Sequence, residues 1–156
     1  MVEKNIVITK GYIRADFAFW VGKYMDKFYD GLEKQKILAN ECPKCKKVFI
    51  PPRQTCGECF HNIDLEGNWK ELPGTGTLKN FTTTHYSVSE SKTKKKKKPV
   101  LVGLVQMDGS DSAVVYNILD AEEKDLKLGM KMEIVWNKKI TGSPNDIKGF
   151  KPAGGA

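Results

Sequence analysis

The 156-residue sequence reads as a mainly β protein with one helix near its start. Three observations carry that reading. Aromatic and apolar residues recur at spacings of three and four from Phe17 to Leu32, the period of a helix face. Two Cys-x-x-Cys pairs follow, with ten residues between them. The remainder is a series of strand-like runs separated by turns that contain glycine or proline. The expected order is an N-terminal helical segment (1–36), a rubredoxin-like zinc ribbon (37–68), an OB-fold barrel (69–152) and a short tail (153–156).

The helical segment rests on Phe17, Trp20, Val21, Tyr24, Met25, Phe28, Tyr29 and Leu32. Asp16 fits an N-cap, and Gly31 marks the weakening far end. The stripe holds five aromatic rings, a large load for the interior of a small domain. It either packs on the chain's own core or docks on a partner, with Phe17, Trp20, Tyr24 and Phe28 as candidate interface residues.

The cysteine pairs are Cys42-Pro43-Lys44-Cys45 and Cys56-Gly57-Glu58-Cys59, and they use every cysteine in the chain. Two thiolates on one tight turn meeting two on a second turn give the closed tetrahedral shell of one structural zinc ion. Such a shell leaves no open position for substrate. Pro43 and Gly57 sit where the backbone has to fold sharply, and Lys44, Lys46 and Lys47 offset the charge of a zinc tetrathiolate. The alternatives are two disulfides or a redox dithiol. Short strands over Ile37-Leu38-Ala39 and Val48-Phe49-Ile50 flank the first pair. Pro51-Pro52-Arg53 stiffens the approach to the second. A module this small needs its metal for much of its folding free energy.

Beyond the ribbon, strands are expected at Trp69–Leu72, Thr77–Ser87, Val100–Met107, Ala113–Leu119 and Met130–Trp136. Turns fall at Pro73–Gly76 and Asp108-Gly109. A short polar helix or turn is expected over Ala121–Leu128, before Gly129. Five strands with a helical insert before the last long one outline an OB-type barrel. From Lys151 onward the chain reads as loose.

The net charge is +7, and it is uneven. Lys94, Lys95, Lys96, Lys97 and Lys98 are consecutive, with Lys92 close by. Such a run is either a solvated loop or a contact for an anionic partner. No apolar run is long enough to span a bilayer, and the first residues are polar. A cytoplasmic protein with no membrane partner is expected.

The segments Phe28-Tyr29-Asp30-Gly31-Leu32, Val48-Phe49-Ile50-Pro51-Pro52-Arg53, Trp69-Lys70-Glu71-Leu72, Gly74-Thr75-Gly76-Thr77-Leu78, Gly103-Leu104-Val105, Leu128-Gly129-Met130 and Gly149-Phe150-Lys151-Pro152 surround the cysteine pairs in order. In this arrangement the chain resembles the acyl-CoA-associated zinc-ribbon/OB-fold family, formerly a domain of unknown function. The likeness runs from about Asp16 to Pro152. It implies a non-catalytic subunit that partners a thiolase or thiolase-like enzyme and helps to bind or channel a β-keto acyl-CoA. A CoA ester would meet the lysine run Lys94–Lys98 and His85, and an apolar barrel face would line its pantetheine and acyl arm.

Independent catalysis is not expected. Thiolase chemistry needs a free cysteine nucleophile and histidine bases. All four cysteines serve the metal shell, and His61 and His85 are the only histidines. His61 reads as a solvent-facing ribbon residue, and His85 as a surface residue or a ligand contact. Two other classes share this parts list: a nucleic-acid-binding zinc-ribbon/OB protein and a pure scaffold. The first would interleave basic and aromatic residues along the barrel strands, whereas these lysines are bunched.

Overall fold

The structure, a computed structural model, describes residues 11, 15–85 and 99–154. The run Lys94–Lys98 lies outside the described residues. The first element is α1 (Lys23–Glu33). It is shorter than the stripe from Phe17 suggests. Gly22 precedes it with φ 91°, a left-handed conformation that no helix can pass through. Residues 15–22 are therefore not helical, and Asp16 is not the cap. Gly31 lies within the helix. A Cβ there would strike the side chain of Leu38, so this glycine serves close packing. The helix ends in a Schellman motif. Gln35 takes φ 56°, its N–H donates to Leu32 O at 2.8 Å, and Lys36 N–H donates to Gly31 O at 2.9 Å.

Strands β1 (Ile37–Glu41), β2 (Val48–Phe49) and β3 (Trp69–Leu72) form an antiparallel sheet in the order β2-β1-β3. The pairing of β3 with β1, from Ile37↔Leu72 to Asn40↔Trp69, differs from the sequence reading, which made Trp69–Leu72 the first barrel strand. Gly74, with φ 75°, turns the chain out of this sheet into the next.

The second sheet comprises β4 (Thr75–Thr84), β5 (Val100–Met107), β6 (Ala113–Asn117), β7 (Lys131–Trp136) and β8 (Ile147–Pro152). Its order is β6-β5-β4-β7-β8, antiparallel throughout. A parallel bridge between Ile118 and Phe150 joins the two ends, which closes the sheet into an OB-type barrel. Strand β4 pairs on both sides, and a register shift between Leu78 and Asn80 accommodates its bend. A 3-10 turn (Glu123–Asp125) stands where the short helix or turn was expected.

Strand β8 is the barrel strand missed in the sequence, where Lys151 onward was read as loose. Its run Ile147-Lys148-Gly149-Phe150-Lys151-Pro152 has only two large apolar residues and contains both strand-weakening types. The barrel accounts for both features. A Cβ at Gly149 would run into the carbonyl oxygen of Asn117, and Phe150 is fully buried at the closure.

One apolar core runs through all three parts. Phe28 and Leu32 of α1 join Ile37, Val48 and Leu72 of the first sheet and Leu78, Met107, Met132 and Phe150 of the barrel. Polar ties reinforce the junction. Asp111, in the turn after β5, accepts from Val48 N–H at 2.8 Å, and its own N–H donates to Val48 O at 2.8 Å. Ser112 Oγ accepts from Ile50 N–H at 2.7 Å and donates to Ile50 O at 2.9 Å. The turn thus covers the open edge of β2.

Candidate metal centre

The two cysteine turns are built alike. Cys42 N–H donates to Lys47 O, and Lys46 N–H donates to Cys42 O. In the second turn Cys56 N–H donates to His61 O, and Phe60 N–H donates to Cys56 O. The residue after each second cysteine takes the left-handed conformation, Lys46 at φ 63° and Phe60 at φ 56°. Pro43 and Gly57 open the hydrogen-bonded turns 43–45 and 57–59, and the left-handed residues close them. Buried Asn40 locks the second turn to the sheet. Its side-chain N–H donates to Arg53 O at 2.7 Å, and its Oδ1 accepts from Arg53 N–H at 3.1 Å.

These turns bring Cys42, Cys45, Cys56 and Cys59 together, with all four Sγ atoms within 4.8 Å of one another. Cys42 Sγ lies 3.6 Å from Cys59 Sγ, and Cys45 Sγ lies 3.5 Å from Cys56 Sγ. A tetrahedron with Zn–S bonds of about 2.3 Å has edges of about 3.8 Å, so the four sulfurs fit one such ion. None of the four is in a disulfide. Cys42 and Cys56 are fully buried, and Cys45 and Cys59 are partly covered.

The electrostatics suit thiolate ligands unevenly. Burial pushes the Cys56 thiol up, but the backbone N–H groups of Cys59 and Glu58 outweigh it and hold the pKa at about 6. Cys42 is likewise lowered, its burial offset by the N–H groups of Cys45 and Lys44. For Cys45 the backbone N–H of Lys47 lowers the pKa. Burial and the neighbouring thiols prevail and push it up to about 12. Four thiolates cannot share this space without a cation, and a divalent ion would supply the missing charge. Around the shell, Lys47 pairs with Glu58 at 3.0 Å and Lys46 with Glu41 at 3.8 Å. Phe49 and Ile63 pack against the sulfurs in a small cluster separate from the main core.

The other sequence-derived candidates scatter. His85 is exposed just beyond β4. Phe28 is 5% exposed and belongs to the chain's own core, so interior packing rather than a partner occupies it. Tyr24 is partly buried, stacked near Trp69, and donates through its hydroxyl to Ile63 O at 2.5 Å. Phe17 and Trp20 are 83% and 70% exposed, and Phe19, which the helical pattern skipped, is equally open. A further feature had no sequence signal. An apolar pocket of about 250 Å³ opens where helix, first sheet and barrel meet, lined by Phe28, Ile50, Met107, Tyr116, Ile147 and Phe150. Its residues come from distant parts of the chain.

A four-thiol ribbon joined to a closed five-stranded OB barrel defines the class of protein. Residues 69–137 match the family model of the ChsH2 C-terminal OB-fold domain, and this part of the chain has an OB fold. Two solved structures share the fold of nearly the whole chain. The first is described as an Ltp2-ChsH2(DUF35) aldolase. It is 19% identical with a TM-score of 0.58, and the match covers 81% of this chain and 91% of that one. The second is a DUF35-family protein of unknown function from Sulfolobus solfataricus. It is 22% identical with a TM-score of 0.58, over 82% and 84% of the two chains. The resemblance to the zinc-ribbon/OB-fold family is thereby supported. No curated protein matches the chain.

Proposed function

We propose that this protein is a non-catalytic, zinc-binding subunit of a thiolase or thiolase-like acyl-CoA complex, working in the cytoplasm, where its thiol ligands stay reduced. The division of labour follows the segments 1–36, 37–68 and 69–152. Cys42, Cys45, Cys56 and Cys59 hold one structural zinc, which fixes the two cysteine turns to each other. The N-terminal segment docks the enzyme partner. The barrel side helps to hold or channel a β-keto acyl-CoA, with His85 and Lys94–Lys98 toward the phosphates.

The observation that carries this reading is the aromatic segment before α1. Phe17, Phe19 and Trp20 stand open to solvent, with Trp20 beside the ribbon, an arrangement suited to a hydrophobic protein surface. The likeness to a ChsH2 chain described with Ltp2 supports a subunit role. The small apolar pocket supports a ligand with an apolar arm. No helix among the described residues is long and apolar enough to cross a membrane.

The test is co-expression with the products of neighbouring genes, followed by mass spectrometry of what co-purifies. A thiolase-like partner retained by the intact chain and lost with Trp20→Ala and Phe17→Ala bears the proposal out. Purification alone, or with nucleic acid, refutes it. Replacing Lys94–Lys98 with Ser in the assembled complex then tests ligand contact. Acyl-CoA affinity should fall, and its salt dependence should flatten. A complex whose affinity is unchanged is a scaffold that leaves CoA to its partner.

A further inference from the structure

Among the described residues the barrel seam is closed by a single bridge, between Ile118 and Phe150. Strand β6 ends the sheet, and before that bridge no ladder joins it to β8. The apolar pocket of about 250 Å³ lies at this gap. Val114, Val115 and Tyr116 of β6 line it together with Ile147 and Phe150 of β8.

The main chain of β6 turns a free side to this gap. Ile118 N–H donates to Leu101 O at 2.8 Å, and the register of β6 on β5 repeats that bonding at Tyr116 and Val114. The N–H and C=O of Val115 therefore point away from β5, toward a side where no described strand pairs with them. The Val115 side chain is 63% exposed, and Val102 and Leu104 of β5 continue the apolar surface beside it. Other sheet edges are protected. The turn at Asp111 covers β2, and β3 carries the charged Lys70 and Glu71. The β6 run Ala113–Asn117 bears no charge. Strand addition uses an edge of this kind, with main-chain bonds along the edge and alternate side chains in adjoining pockets.

The chain itself supplies a matching segment. Ile6, Val7, Ile8 and Thr9 are four successive β-branched residues, and they lie outside the described residues. Downstream of them, Trp20 and Gly22 line a hollow with Pro52, and the adjacent Pro51 lines the pocket beside β6. The ten residues between Thr9 and Trp20 reach up to about 33 Å when extended. A folded domain of this size has a radius of gyration of about 15 Å, so the run can meet the edge. We infer that residues 5–9 add to β6 as an edge strand, with their main chain on that of Val115 and their aliphatic side chains over the pocket. The tether keeps them near the edge at an effective concentration in the ~mM range, which a second copy would have to match from solution. A ligand arm entering the pocket has to displace these side chains. The inference stands apart from the enzyme-partner reading, which concerns Phe17 and Trp20.

The test is nuclear magnetic resonance on the full-length, metal-loaded chain. Nuclear Overhauser contacts are expected between the methyl groups of Ile6 or Ile8 and the side chains of Val115, Tyr116 or Phe150. The Val115 amide should exchange slowly with solvent. Ile6→Asp combined with Ile8→Asp should speed that exchange by about tenfold or more. The amides of Val114 and Tyr116, which bond to β5, should stay protected in the same variant and report that the barrel is intact. A freely exchanging Val115 amide in the wild type, protection that survives the double substitution, or contacts of residues 5–9 that are absent or fall on another surface would each overturn the inference. So would contacts found only between differently labelled copies in a mixed sample, which would assign the edge to a dimer instead. None of these readouts involves an enzyme partner, whose retention is read from Trp20→Ala and Phe17→Ala, so the two readings fail separately.

Discussion

Cys42 and Cys56 are held by backbone N–H groups in matched turns, and their sulfurs meet those of Cys45 and Cys59. Each ligand is needed for the closed shell, so replacing any one with Ser should lose the metal. Elemental analysis should then read well below one zinc per chain, and the thermal midpoint should fall. Asp146 is the other residue with a large role for its size. Burial pushes its pKa up, but the N–H groups of Ser143 and Thr141 prevail and hold it below its ordinary 3.8. A carboxylate depressed by folding stabilises the protein at pH values above its unfolded pKa. That contribution is lost as pH falls through the folded value. Acid titration of the wild type should show this loss below about pH 4, and Asp146→Ala should remove it. The substitution orphans three donors and should cost about 1–3 kcal/mol in urea unfolding.

At the level of elements, α1 and the segment before it do different work. Phe28 fills the core, whereas Trp20 stands in solvent with only its N–H engaged, on Asp26 at 2.5 Å. Phe28→Ala should cost about 3–5 kcal/mol of stability. Trp20→Ala should change stability by less than about 0.5 kcal/mol, while reducing retention of a protein partner. Equal effects of the two on stability would refute this separation. Strand β8 closes the barrel through a glycine that has no room for a side chain. Gly149→Ala should destabilise by about 1–3 kcal/mol, with hydrogen exchange accelerated in β8 and at Ile118. Unchanged exchange there would show that the barrel does not depend on this seam.

On the scale of the molecule, two apolar clusters divide the stability. The larger joins helix, first sheet and barrel, and the smaller consists of Phe49, Ile63 and the cysteines. Chelation should therefore loosen the cysteine turns and leave the barrel folded. Amide protection should vanish over 42–47 and 54–63 and persist in β4 to β8. Global unfolding on chelation would mean that the metal, rather than the shared core, holds the two sheets together.

The cysteine spacing, the aromatic period and most strand runs were legible because each is a local pattern: a turn that presents two thiols, a helix face, a β-branched run bounded by turns. These determined the fold class, the cluster of four cysteines and the likeness to a zinc-ribbon/OB family. Decisions that depend on distant residues were not legible. Trp69–Leu72 has the look of any strand, and only its register with Ile37–Asn40 assigns it to the first sheet. Ile147–Pro152 has a poor strand composition, and it becomes a strand because β7 and the Ile118 bridge offer it partners. The stripe from Phe17 is helical in period, yet Gly22 ends the helix and leaves the first aromatic residues outside it. Local sequence sets what a segment can be, whereas its partners in space, through burial and paired hydrogen bonds, decide what it becomes.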